Sequence, residues 1–188
     1  MARVHLEDYR FCPRCAGGLV WKVVRPGEPP RLSCPACGFI LYLDPKVVVV
    51  ALIPIAGELV LVRQVQGPRA GLWVLPGGFV DLGEPPERAV IREVAEETGL
   101  TVQVQSLFQV YSHGEGQAVI LAYETAPLAG RLGTGKGDHE ARLFAPAAIP
   151  WSTLAFATTR RILQDYLASR SPDLPLEFSE VRPAAGRH

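Results

Sequence analysis

The stretch from Gly78 to Leu100 reads GFVDLGEPPERAVIREVAEETGL, and the fold turns on it. From Pro85 to Thr98 the pattern is helical: prolines suit a first turn, whose N–H groups lack partners anyway, and Gly99 supplies a C-terminal stop. At about 100° per residue, Glu93, Glu96 and Glu97 crowd one sector roughly 100° wide, bordered by the apolar stripe of Val90, Val94 and Ile91. Like charges at this spacing repel by roughly a few tenths of a kcal/mol per pair on an exposed helix. A carboxylate cluster beside a buried face therefore suggests a compensating cation, and Mg2+ or Mn2+ prefers such oxygens. A solvated acidic face is the alternative, and the helix alone leaves both open.

Working outward, Val47–Ile55 is a nearly continuous apolar run rich in β-branched residues, as in a strand buried on both faces. Ala56-Gly57-Glu58 reads as a turn and Leu59–Val65 as a second strand, so a hairpin is expected. Trp73–Leu75 is a short apolar segment before a Pro76-Gly77-Gly78 turn. Strands are expected at Thr101–Tyr111, Gln117–Glu124 and Glu140–Phe144, and a closing helix at Thr158–Ser169 with Ile162, Leu163, Tyr166 and Leu167 as its apolar stripe. Beyond Ser171 a Pro-containing polar tail is expected to be loosely held.

All four cysteines fall within the first 37 residues, as Cys12-Pro-Arg-Cys15 and Cys34-Pro-Ala-Cys37 with 18 residues between the pairs. Each Cys-x-x-Cys turn aims two sulfurs at one point, and two turns complete a tetrahedral thiolate site of zinc-ribbon spacing. Gly17, Gly18 and Gly38 follow the pairs, where knuckles call for positive φ. Leu19–Val24 and Arg31–Ser33 read as short strands, and a unit this small needs the metal for stability. Two disulfides are the competing reading, disfavoured in a cytosolic chain.

The 188 residues carry 19 Lys+Arg against 19 Asp+Glu, so no strong basic field is available to recruit nucleic acid. Hydrophobic residues make up 48%, enough for a real core. No apolar run approaches the roughly 18 residues of a membrane span, and MARVHLEDYRFC lacks the order of a signal peptide; a cytoplasmic protein is expected.

Gly78 is followed six positions later by Glu84 and eight further on by Arg92, which continues as Arg92-Glu93-Val94-Ala95-Glu96-Glu97-Thr98-Gly99-Leu100. These positions match the 23-residue box of the Nudix hydrolases, and the chain resembles that family from about Arg10 to Leu167. With the cysteine pairs, the LWVLPGGFVD approach and the IPWSTLAF segment, it is similar to the zinc-ribbon-bearing branch, which includes FAD and ADP-ribose diphosphatases. The resemblance implies a Nudix-type α/β/α sandwich with a mixed sheet, spanning 44–170 after a ribbon at 1–43, with a tail at 171–188. It further implies Glu93, Glu96 and Glu97 as ligands of catalytic Mg2+ or Mn2+, the Gly77 carbonyl as a further ligand, and Arg92 with Glu84 as a brace; zinc is structural, on Cys12, Cys15, Cys34 and Cys37.

Relatives often place another carboxylate before the last strand; here Glu140 is the first candidate and Asp138 the second, against a surface carboxylate. Trp73 and Tyr111 are candidate ring platforms, with core packing as the alternative. Arg63 and Arg69 are candidate phosphate contacts, and His113 reads as a surface histidine. The SQPWPFPxS-type segment of NADH-preferring relatives is missing, which favours FAD or ADP-ribose over NADH. Cleansing of oxidised nucleoside triphosphates and nucleotide sensing with nucleic-acid binding are the competing functions; a homodimer accords with the relatives.

Overall fold

The computed structural model describes residues 8–66, 69–113, 117–133 and 139–170. The chain divides into two compact units, Met1–Pro45 and Lys46–His188. In the first, β1 (Val20–Lys22) pairs antiparallel with β2 (Arg31–Ser33), Trp21 opposite Leu32. Among its described residues only Cys12, Leu32, Ser33 and Cys34 are buried. That is too little apolar surface to hold a fold unaided.

The second unit contains two four-stranded sheets. In the mixed one, β3 (Lys46–Leu52) runs parallel to β9 (Ala118–Gly130) and antiparallel to β7 (Gly77–Phe79), and β8 (Leu100–His113) pairs with β9 at the edge. In the antiparallel one, β5 (Glu58–Gln64) pairs with β10 (His139–Phe144), β4 (Pro54–Ile55) and β6 (Trp73–Val74). Strand alternation sends successive side chains to opposite faces and so makes two cores. Val49, Ala51 and Val60 join Ala89, Val90 and Val94 of helix α1 (Pro86–Thr98). Leu52, Leu59 and Leu61 join Ile162, Leu163 and Tyr166 of helix α2 (Ala157–Ser169). Sheets thus lie between helices, the expected sandwich. Among the described residues no helix is long and apolar enough to cross a membrane.

Three elements depart from the sequence reading. The expected hairpin shrinks to Pro54–Ile55 against Glu58–Leu59, because Pro54 cannot donate to a ladder and the apolar run breaks there, releasing β3 to the other sheet. Ala56 (φ 50°) and Gly57 (φ 84°) form the two-residue turn. Instead of a plain turn, Gly77–Phe79 pairs with Val48–Val50. Strand β9 runs on to Gly130 through Pro127, tolerated because the register with β8 shifts beside it. Residues 171–188 and Asp138 lie outside the described residues.

Candidate active site and metal sites

Helix α1 opens on Pro85 in extended conformation and closes on a left-handed Gly99, so its length and facing are set locally. Arg92 ties its middle turns to the preceding loop. Its Nε and Nη2 donate to the two carboxylate oxygens of Glu84 at 2.9 and 2.8 Å, and Nη2 also reaches the Phe79 carbonyl at 3.1 Å. A bidentate pair of this kind fixes direction as well as distance. Hydrogen bonding to Arg92 holds the Glu84 carboxyl below the usual carboxylate range.

The other guanidinium nitrogen donates to Glu93 Oε1 at 2.8 Å and lies 3.7 Å from Glu96 Oε2. Glu97 faces elsewhere: its Oε2 accepts the Gly77 N–H at 2.9 Å, and its Oε1 lies 3.7 Å from His139 Nε2. Arg92 thereby draws Glu93 and Glu96 while Gly77 holds Glu97. Among the described residues, the cysteines are the one set of three or more potential ligands gathered within 4.8 Å. The close packing explains both glycines, since a Cβ on Gly78 would collide with the Glu93 carboxylate and one on Gly77 with the Val49 carbonyl. Burial pushes the Glu97 carboxyl up to about 7; the Gly77 hydrogen bond opposes this and the negative charges of Glu93 and Glu96 add to it.

A cleft of about 280 Å³ is lined by Gln64, Val65, Gln66 and His139, and the last of these lies 3.7 Å from this carboxylate. Its amides and the imidazole were not singled out from sequence. Strand alternation could have found His139, because it must face oppositely to Glu140. Glu140 sits on the opposite face of the strand. It is ion-paired with Arg63 and Arg142, whose guanidinium groups hold its carboxyl low although burial works the other way.

Arg63 is likewise committed to Glu140 and to the Trp73 ring, 5.3 Å away. The two candidate platforms are core residues: Trp73 is 6% exposed and packs edge-on against Phe144, and Tyr111 is 5% exposed and donates to Asp165 at 3.0 Å. Neither offers a free ring face. Arg69 stacks over Phe156 at 4.1 Å, and His113 Nδ1 is 3.4 Å from the Thr158 hydroxyl.

In the first unit, Cys12 Sγ is 3.6 Å from Cys37 Sγ and Cys15 Sγ is 3.5 Å from Cys34 Sγ. These distances are far above a disulfide bond and close to the edge of about 3.8 Å expected for sulfurs around one ion with 2.3 Å bonds. The four cysteines fit a zinc ribbon. The left-handed residues of the knuckles are Ala16 (φ 57°) and Gly38 (φ 73°), not Gly17 or Gly18. Gly17 sits close to the sulfurs, a Cβ there being 3.2 Å from Cys34 Sγ, a tight contact.

The NUDIX domain model matches residues 43–166 and the Nudix N-terminal model residues 10–43. The chain belongs to the Nudix family. This Nudix chain is 37% identical over 131 residues to an ADP-ribose pyrophosphatase of Methanocaldococcus jannaschii, covering 68% of itself and 76% of that protein. It is 32% identical over 177 residues to the NAD-capped RNA hydrolase NudC of Deinococcus radiodurans, covering 87% of itself but 58% of NudC, so it spans little more than half that relative. The crystal structure of a NUDIX hydrolase from Nitrosomonas europaea superposes with a TM-score of 0.81 at 29% identity, covering 89% of this chain and 95% of that one.

The raised Glu97 carboxyl has a measurable consequence for this Nudix chain when divalent ions are withheld. A carboxyl near 7 when folded and near 4.5 when unfolded binds its proton more tightly in the native state. The resulting stability is full below pH 4.5 and is lost as pH rises through 7. Thermal melts should therefore show the Lys46–His188 unit several degrees more stable at pH 5.5 than at pH 8. Glu97→Gln should remove most of that difference; an unchanged difference would mean that another group carries it.

Proposed function

We propose that the chain hydrolyses the diphosphate of a nucleoside diphosphate linked to a second group, of ADP-ribose or FAD type, with AMP as one product. The observation that carries the reading is Glu97: largely buried, anchored on one oxygen by Gly77, four residues from Glu93 on the same helix and 3.7 Å from the cleft residue His139. Glu93 and Glu96, which share the Arg92 guanidinium, and Glu97, largely buried and held by Gly77, lie within five residues of one helix and suit hard divalent cations. Glu93, Glu96 and Glu97 would hold Mg2+ or Mn2+, with the Gly77 carbonyl as a further donor. Such an ion, when bound, neutralises the diphosphate and lowers the pKa of an attacking water.

The chain's own residues do the positioning. Arg92 locks Glu84 and Glu93 together and so aligns the loop with the helix. The Gly77 N–H orients Glu97, leaving one of its oxygens turned toward the cleft side. The cleft's neutral Gln64 and Gln66 amides suit an uncharged nucleoside half, leaving the phosphates for the carboxylate side. Contacts to both flanking groups supply binding energy that can be spent on alignment. The pyrophosphatase relative acts, by its name, on ADP-ribose. In this reading residues 44–170 form the catalytic unit and residues 1–43 a ribbon stabilised by zinc.

A product-resolved screen with Mg2+ and Mn2+ tests the proposal. ADP-ribose and FAD should exceed NADH and the common nucleoside triphosphates in kcat/KM. An oxidised triphosphate ranking first by about tenfold, roughly 1.4 kcal/mol of transition-state binding, would sink it. So would tight nucleotide binding without turnover.

A further inference from the structure

The geometry points to His139 as a nitrogen ligand, beside Glu97, of the catalytic cation, and hence to a site that favours Mn2+ over Mg2+. The inference rests on the reading of Glu97 as a metal ligand. His139 Nε2 and Glu97 Oε1 are 3.7 Å apart, too far for a hydrogen bond. One octahedral ion with bonds of about 2.1 Å holds neighbouring donors about 3.0 Å apart, so a closure of about 0.7 Å between these two side chains brings both onto it.

The ring's other nitrogen, Nδ1, is buried and has no hydrogen-bond partner among the described residues. Among the described residues neither ring nitrogen has a hydrogen-bond partner, which leaves Nε2 uncommitted beside Glu97 with Nδ1 free to carry the ring proton. The residue is also held in place: His139 pairs with Gln64 in the β5–β10 ladder, and the next residue, Glu140, is fastened on the opposite face by Arg63 and Arg142. Glu97 is held from its other side by Gly77. Because the same ring lines the cleft, an ion between these two side chains is reachable from solvent and by a substrate phosphate.

A nitrogen donor changes which ion wins. Mg2+ demands an all-oxygen, near-octahedral shell and gives up water reluctantly, whereas first-row transition ions accept imidazole. Mn2+ tolerates both donors and leaves ribbon thiolates alone, which makes it the probe of choice.

The test uses the full chain with its ribbon metal retained and Mn2+ added. Electron spin-echo modulation of bound Mn2+ should show a directly coordinated nitrogen in the wild type and none in His139→Ala. Losing one ligand should weaken Mn2+ about tenfold while Mg2+, measured by competition, changes by less than about twofold. His139→Asn, which keeps a polar side chain at the strand start, should behave alike, and a thermal melt confirms folding of each variant. A missing nitrogen signal in the wild type, its survival in His139→Ala, or parallel loss of both ions would overturn the assignment. Glu97→Gln separates the two levels: unchanged Mn2+ affinity there would bring down the active-site reading itself, whereas a missing nitrogen signal alone removes only His139.

Discussion

Glu97→Gln should lower kcat/KM for every diphosphate substrate by roughly two to three orders of magnitude, the range seen when one aligned electrostatic contact is deleted. The substitution keeps shape and retains an oxygen to accept the Gly77 N–H, now at 2.9 Å, so the loop stays in place. What disappears is a negative charge that burial has made costly without a cation and valuable with one. Stability without metal should therefore hold or rise while turnover collapses, a combination that general unfolding cannot produce. Glu87→Gln is the matched control. Glu87 lies exposed in the first turn of α1 and accepts a hydrogen bond from the Tyr123 hydroxyl at 3.3 Å, which glutamine can also accept. Equal losses in the two variants would show that the catalytic face of α1 has been misassigned.

Much of this arrangement was legible in the residues because it is local. Helix α1 announces itself through Pro85, Gly99 and a 3.6-residue apolar stripe, all nearest-neighbour effects. The cysteine pairs are equally self-contained. Where two distant segments had to meet, sequence offered less. Glu140 came first because relatives often place a carboxylate before the last strand, yet the β5–β10 register sets it against Arg63 and Arg142 and places His139 beside Glu97. For Trp73 and Tyr111 the residues left ring platform and core packing both open, because nothing local shows what covers a strand-end aromatic; the sandwich closes over both. The apolar run from Val47 to Ile55 hid a change of sheet that only Pro54 hinted at.

Cys34→Ser should abolish stoichiometric zinc in the first unit and unfold it while the second unit keeps its own melting transition. Cys34 is 1% exposed, and its sulfur lies 3.5 Å from that of Cys15 within the four-sulfur group. A serine hydroxyl is shorter and a far weaker zinc ligand than a thiolate, so the shell is left open on its buried side. Little else holds the unit. Phe11, Val20, Trp21, Val23 and Tyr42 are each about half exposed or more, and the described core is one leucine, one serine and two of the ligands themselves. Structural zinc contributes on the order of 10 kcal/mol in small domains, more than three paired residues in each of two strands can supply. Metal analysis should accordingly fall from about one zinc per chain to near zero. Backbone amides of β1 and β2 should exchange freely with solvent, while those of β3 and β9 stay protected. Ser33→Ala, which removes only a 3.3 Å hydrogen bond to the Arg31 carbonyl, should keep the zinc. Wild-type protein with four freely titrating thiols, no zinc and protected β1–β2 amides would show that packing alone sustains the ribbon.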